Sequence, residues 1–180
     1  MKAKLQVTLA LTALVMAIGL AGCGDKEYEA APVNESTDKC EVCNMMVGDD
    51  GFATQLITEE GKVYKFDDLG CMNEWKQKNG TDNIAIEFVR DYNTREWVKL
   101  DHAFFAYDPA FQSPMAYGLV SFKDQPTAQA YIDEQGKGQL LSAADLSAHK
   151  WERNMSGGHM QMDGHHENAH KESNAHGKQS

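Results

Sequence analysis

Two rhythms of apolar residues alternate between positions 52 and 141. Residues 52–58 (FATQLIT) and 62–66 (KVYKF) place apolar and polar side chains in turn, with Gly61 in the short gap, which predicts a β-hairpin. Asp67 and Asp68 then stand where a helix is capped. Leu69, Met72 and Trp75, with Cys71 among them, recur at helical spacing until Lys78-Asn79-Gly80 stops the pattern. A strand over 84–90 (IAIEFVR) follows.

The same succession then returns. Residues 96–100 and 103–107 read as strands flanking Asp101 and His102, 117–122 (YGLVSF) as a third, 127–135 as a helix and 138–141 as a short final strand. "VYKFDDLGCMNEW" and "GLVSFKDQPTAQAYI" fall at matching points of two strand–strand–helix–strand units. The expected fold is therefore α+β with an internal duplication, visible in the pattern although the halves share little identity.

The flanks are different in kind. Lys2 and Lys4 precede an uncharged run over 5–22 that ends in small residues before Cys23, the layout of a secretory signal. Leu20-Ala21-Gly22-Cys23 also looks like a bacterial lipobox, which makes residues 1–22 a lipoprotein signal peptide and Cys23 a diacylated anchor, tethering the chain to the membrane. Residues 23–38 read as a lipidated, flexible linker, 39–151 as the folded domain, and 152–180 as a disordered tail. That tail carries His159, Met160, Met162, His165, His166, His170 and His176, a mixed imidazole and thioether set able to bind copper in either oxidation state.

Charge narrows the partners. The 180-residue chain has a formal charge of −10, and loss of Lys2 and Lys4 with the leader makes it about −12. Nucleic acid is a poor partner for such a surface, because phosphate binding needs basic clusters. No nucleophile, base and orienting acid fall into a known motif, and there is no glycine-rich phosphate loop, so an enzyme is not expected. Asp67 and Asp68 read as helix caps, and His102 and His149 as structural residues.

The stretch 38–51 (DKCEVCNMMVGDDG) holds the candidate chemistry. Cys40, Cys43, Met45 and Met46 offer thiolate and thioether sulfur, soft donors that favour Cu(I). In Cys43-Asn44-Met45 a one-residue gap points both sulfurs the same way if the backbone is extended, whereas Asn44 tolerates a left-handed turn that would curl the loop round an ion. Met115, in a proline-marked turn, is a further loop methionine. Met72 and Cys71 read as core side chains.

Other readings of the cysteine pair stay open at this point. A zinc site needs four ligands, and beyond the pair the sequence offers only Cys71 and distant histidines. A thioredoxin-like motif should follow a strand and open a helix, which this one does not. A Cys40–Cys43 disulfide suits an exported protein but gives the methionines no role.

Taken in order, the lipobox, "CEVCNMMVGDDG", "GKVYKFDDLGCMNEW", "FVRDYNTREWVKLDHAFF" and "SPMAYGLVSF" resemble the NosL family, copper-binding accessory lipoproteins of nitrous oxide reductase. The resemblance covers residues 38–146. It implies two related ββαβ units, similar to a domain of the organomercurial lyase MerB. It also implies an extracytoplasmic, membrane-anchored Cu(I) chaperone that supplies the copper-sulfide centre of nitrous oxide reductase, with that enzyme or its assembly machinery as partner. The family's ligands fall on Cys43, Met45 and Met115, with Cys40 and Met46 as auxiliary candidates. Asn44 and Ala116 stand where the family has glycine. A thiol–disulfide protein, a copper-sequestering buffer dominated by the tail, and homodimerisation remain open alternatives.

Overall fold

The structure is a computed structural model and describes residues 26–155. Cys23 and the tail residues His159, Met160, Met162, His165, His166, His170 and His176 lie outside the described residues. Among the described residues no helix is long and apolar enough to cross a membrane.

The first unit begins with β1 (Thr54–Thr58) and β2 (Val63–Phe66), an antiparallel hairpin turned by Gly61 at φ 87°. Helix α1 (Leu69–Asn79) starts where Asp68, in an extended conformation, accepts the Gly70 N–H at 2.6 Å. Gly80, at φ 80°, ends it. The chain returns as β3 (Ile84–Arg90), antiparallel to β1, and β4 (Trp97–Lys99) extends the sheet beyond β3.

The second unit repeats this plan. β5 (Phe104–Tyr107) pairs with β6 (Leu119–Phe122), α2 (Gln125–Gln135) follows, and β7 (Gln139–Ser142) returns along β5. Helix α2 starts two residues before the expected Thr127, because Asp124 caps it and Pro126 fits a first turn that has no use for its N–H. Strand orders are β2-β1-β3-β4 and β6-β5-β7, so the two ββαβ units have matching topology.

Alternation decides which face each strand buries. In β5, Phe105 joins a large apolar cluster with Leu56, Phe66, Leu69 and Met72 of the first unit, while Ala106 packs with Val120, Phe122, Ala128 and Ile132 under α2. The units are also stitched at the strand exits: the Ser121 hydroxyl donates to Arg90 O at 2.6 Å and the Lys123 N–H to Asp91 at 2.9 Å.

Within the segment expected to act as a spacer, residues 26–38 run against the domain. Gln55, fully buried in β1, accepts the Ala31 N–H at 2.9 Å and donates to Ala31 O at 3.0 Å. Lys65 reaches Pro32 O and pairs with Asp38. The physical reason is the outer face of β1: its buried polar side chain needs partners, and the incoming backbone supplies them.

Candidate metal centre

Residues 38–47 form a tight loop beside β2. Val47 N–H reaches Asp38 O at 3.0 Å and Cys40 N–H reaches Met45 O at 2.8 Å, with Lys39 and Met46 bridged between them. Asn44 closes the tip at φ 61°, its N–H on Cys40 O at 3.0 Å. The backbone from Cys43 to Met45 is therefore curled and not extended, the second of the two geometries the sequence allowed. Glu41 N–H bonds Lys65 O at 3.2 Å and fixes the loop to the hairpin.

This anchorage lowers Cys40 into the core, 1% exposed, and leaves Cys43 half-buried. The start of α1 meets them. Of the two carboxylates read as caps, only Asp68 caps; Asp67 turns to the thiols, and the Cys43 Sγ–H donates to its Oδ2 at 3.2 Å. Cys71, read from sequence as a buried small side chain, is buried but sits in this polar group: the sulfurs of Cys40, Cys43 and Cys71 and an oxygen of Asp67 all lie within 4.8 Å of one another. All three cysteines are free thiols.

Their proton affinities diverge. The Cys71 thiol beside Cys40 lowers its pKa to about 7 against the opposing effect of burial, helped by the N–H groups of Cys43, Asp67 and Val42. Burial and the Asp67 carboxylate push Cys43 up to about 12, although the Met45 N–H points at its sulfur. Cys71 is driven up strongly by Cys40 and by burial. Cys43 and Cys71 therefore hold their protons, and a metal bound there must displace them.

The second loop, between β5 and β6, is ordered by Ser113, whose hydroxyl accepts the N–H groups of Tyr117 and Gly118 at 3.0 and 3.2 Å. Met115 N–H donates to Asp68 Oδ2 at 3.2 Å, and Met115 O accepts from Arg153 at 2.9 Å. Ala116 stands at φ 61°. Asp67 and Asp68 thus hold the two candidate loops at consecutive positions, Cys43 on one and Met115 on the other.

Met45 and Met115 line one open cavity of about 400 Å³. Met155, 74% exposed and at the head of the tail, lines it too. Met46 does not; it is 44% exposed opposite Lys39. His102 is exposed, and His149 is packed edge-on between Tyr107 and Trp151, away from this cavity. Sequence reasoning missed Asp67 and Cys71 as members of the group. The available signal was their i, i+4 spacing across a helix start that needs only one cap.

The sequence model of the NosL family matches residues 32–151. This chain belongs to the NosL family. It is 29% identical over 150 residues to the copper-binding lipoprotein NosL of Stutzerimonas stutzeri, covering 76% of this chain and 78% of that protein. The crystal structure of the copper chaperone NosL from Shewanella denitrificans matches with a TM-score of 0.57 at 19% identity, over 65% of this chain and 94% of that one. At that identity the likeness is one of fold, and it agrees with the α+β architecture of two small antiparallel sheets seen in this NosL-family chain.

Proposed function

We propose that this protein is an extracytoplasmic Cu(I) chaperone, anchored through a lipid on Cys23, that supplies copper for the copper-sulfide centre of nitrous oxide reductase. Membership of the NosL family supports the copper chemistry, and the lipoprotein relative supports the anchor. The observation that carries the site is the double tether at the start of α1, where Asp67 receives Cys43 and Asp68 receives Met115. Two loops far apart in sequence are thereby tied to one helix start, and Met45 and Met115 both line the adjoining cavity, which supports the reading.

Cu(I) is the cargo. Cys43 exchanges its thiol proton for the ion, and the thioethers of Met45 and Met115 complete a soft, low-coordinate site. Because the cavity is open and two of the three donors are neutral, an incoming sulfur from the recipient can bind before the donors here let go. A dedicated thiol–disulfide role fits less well. The half-exposed Cys43 is the thiol hardest to ionise of the motif pair, and the more acidic Cys40 is buried.

Competition of reduced protein against a Cu(I) chelator tests the site: Cys43→Ser and Met115→Leu should each weaken one-to-one binding at least about tenfold. Retention of wild-type affinity in either variant rejects the ligand set. The physiological role has its own test, since cells lacking the protein should make nitrous oxide reductase deficient in its copper-sulfide centre under copper limitation. Fully loaded enzyme would reject that role.

A further inference from the structure

The duplicated plan shows what the second unit adds to it. In the first hairpin residues 59–62 make the turn, whereas residues 108–118 fill the corresponding place between β5 and β6. That longer loop carries Met115, and the chain beyond β7 is bound back onto it. The Asn154 N–H donates to Ala116 O at 2.8 Å and its side-chain amide to Pro109 O at 2.7 Å, while Arg153 Nε donates to Met115 O at 2.9 Å. Trp151 meets the Tyr117 ring edge-on, and the Arg153 guanidinium stands over that same ring. Residues 151–154 thus form a strap, each of these contacts falling on the loop of Met115.

The strap delivers Met155 to the cavity that Met45 and Met115 line. At 74% exposed, Met155 fills no gap in the core, the ordinary use of a methionine. Among the described residues the lining of this cavity contains no cysteine, histidine or carboxylate, so its soft donors are three methionines from three separate segments. We propose that Met155 is a further thioether ligand for Cu(I), the one placed to be exchanged when the ion enters or leaves. The proposal rests on the Cu(I)-chaperone reading and adds a donor to it.

The chemistry of the set agrees with this role. Thioethers are soft, neutral donors that select Cu(I) over divalent ions. The loops of Met45 and Met115 are both tied to the start of α1, through Cys43 to Asp67 and through Met115 N–H to Asp68, whereas the strap is tied only to the second of these loops by the bonds named above. Met155 is also the more exposed, at 74% against 45% for Met45, and its unbranched side chain turns about three bonds. On binding, the ion gains one copper–sulfur bond, and no proton or electron moves. On transfer, that bond breaks as the recipient's sulfur forms its own, so the coordination number is kept while Cys43, Met45 and Met115 still hold the ion.

The test is anaerobic Cu(I) titration of the reduced, full-length chain carrying Cys23→Ser and 13C-labelled in its methionine methyl groups, each resonance assigned by a Met→Leu variant. The Met155 methyl should shift with those of Met45 and Met115 during the first equivalent, before those of Met160 and Met162. In competition with a Cu(I) chelator, Met155→Leu should weaken one-to-one binding about tenfold, with the urea midpoint unchanged because the side chain is exposed. Shifts at Met45 and Met115 with Met155 still, or moving only in step with Met160 and Met162, overturn the proposal and leave the Cu(I) site standing. Absence of a shift at all three overturns the Cu(I) ligand set and this proposal with it.

Discussion

The carboxylate of Asp68 accepts the backbone N–H of Met115 at 3.2 Å while also capping α1 through Gly70 at 2.6 Å. One buried side chain therefore starts a helix and holds a loop that lies far along the sequence. Asp68→Ala leaves two N–H groups without an acceptor and should destabilise the domain by about 2–3 kcal/mol in urea unfolding. It should also weaken Cu(I) binding, because Met115 loses its tether. A loss under about 0.5 kcal/mol would refute this dual role.

Gly70 fixes the same loop from the other side. A Cβ there would lie 2.1 Å from the Tyr117 ring, which lies directly over the first turn of α1. Gly70→Ala should cost about 2–3 kcal/mol by overpacking, and Gly70→Ala with Tyr117→Ala should recover part of it. Additive losses in the double variant, measured by denaturant midpoints, would refute the contact.

The two positions where the family resemblance has glycine, Asn44 and Ala116, both sit at φ 61°. A left-handed alanine is strained by about 1–2 kcal/mol, and glycine returns roughly half of the relief through chain entropy. Ala116→Gly should therefore stabilise by about 0.5 kcal/mol, Asn44→Gly should be nearly neutral, and Asn44→Val should destabilise clearly. A destabilising Ala116→Gly would contradict this backbone geometry.

Met45 and Met46 are adjacent and almost equally exposed, at 45% and 44%, yet only Met45 lines the cavity with Met115. Met45→Leu should weaken Cu(I) binding about tenfold and Met46→Leu should leave it unchanged, by chelator competition. Equal losses would reject the distinction.

Acid should act in two stages. Burial holds the pKa of His149 below its usual value, so its contribution is present above about 6.5 and is lost as pH falls through the folded-state pKa. Asp91 is opposed by burial but held low by the N–H groups of Lys123 and Thr94 and by the Thr94 hydroxyl. Its contribution is present above about 3.9 and disappears at still lower pH. Urea midpoints should fall in both windows, and His149→Phe should flatten only the upper one. An unchanged upper step in that variant would refute the assignment.

Much of the fold was legible because its signals are local. Alternation, the caps at Asp68 and Asp124, and the stops at Gly80 and Gly136 each act within a few residues, so the order of strands and helices follows from the chain itself. The tolerance of Asn44 for a left-handed turn is of the same kind. What only the tertiary structure decided is which loops meet. Strand order and the shared core bring Met115 to Asp68 and set Asp67 and Cys71 against Cys40 and Cys43. No spacing along the chain encodes such contacts, because they arise from packing between segments that the sequence keeps apart.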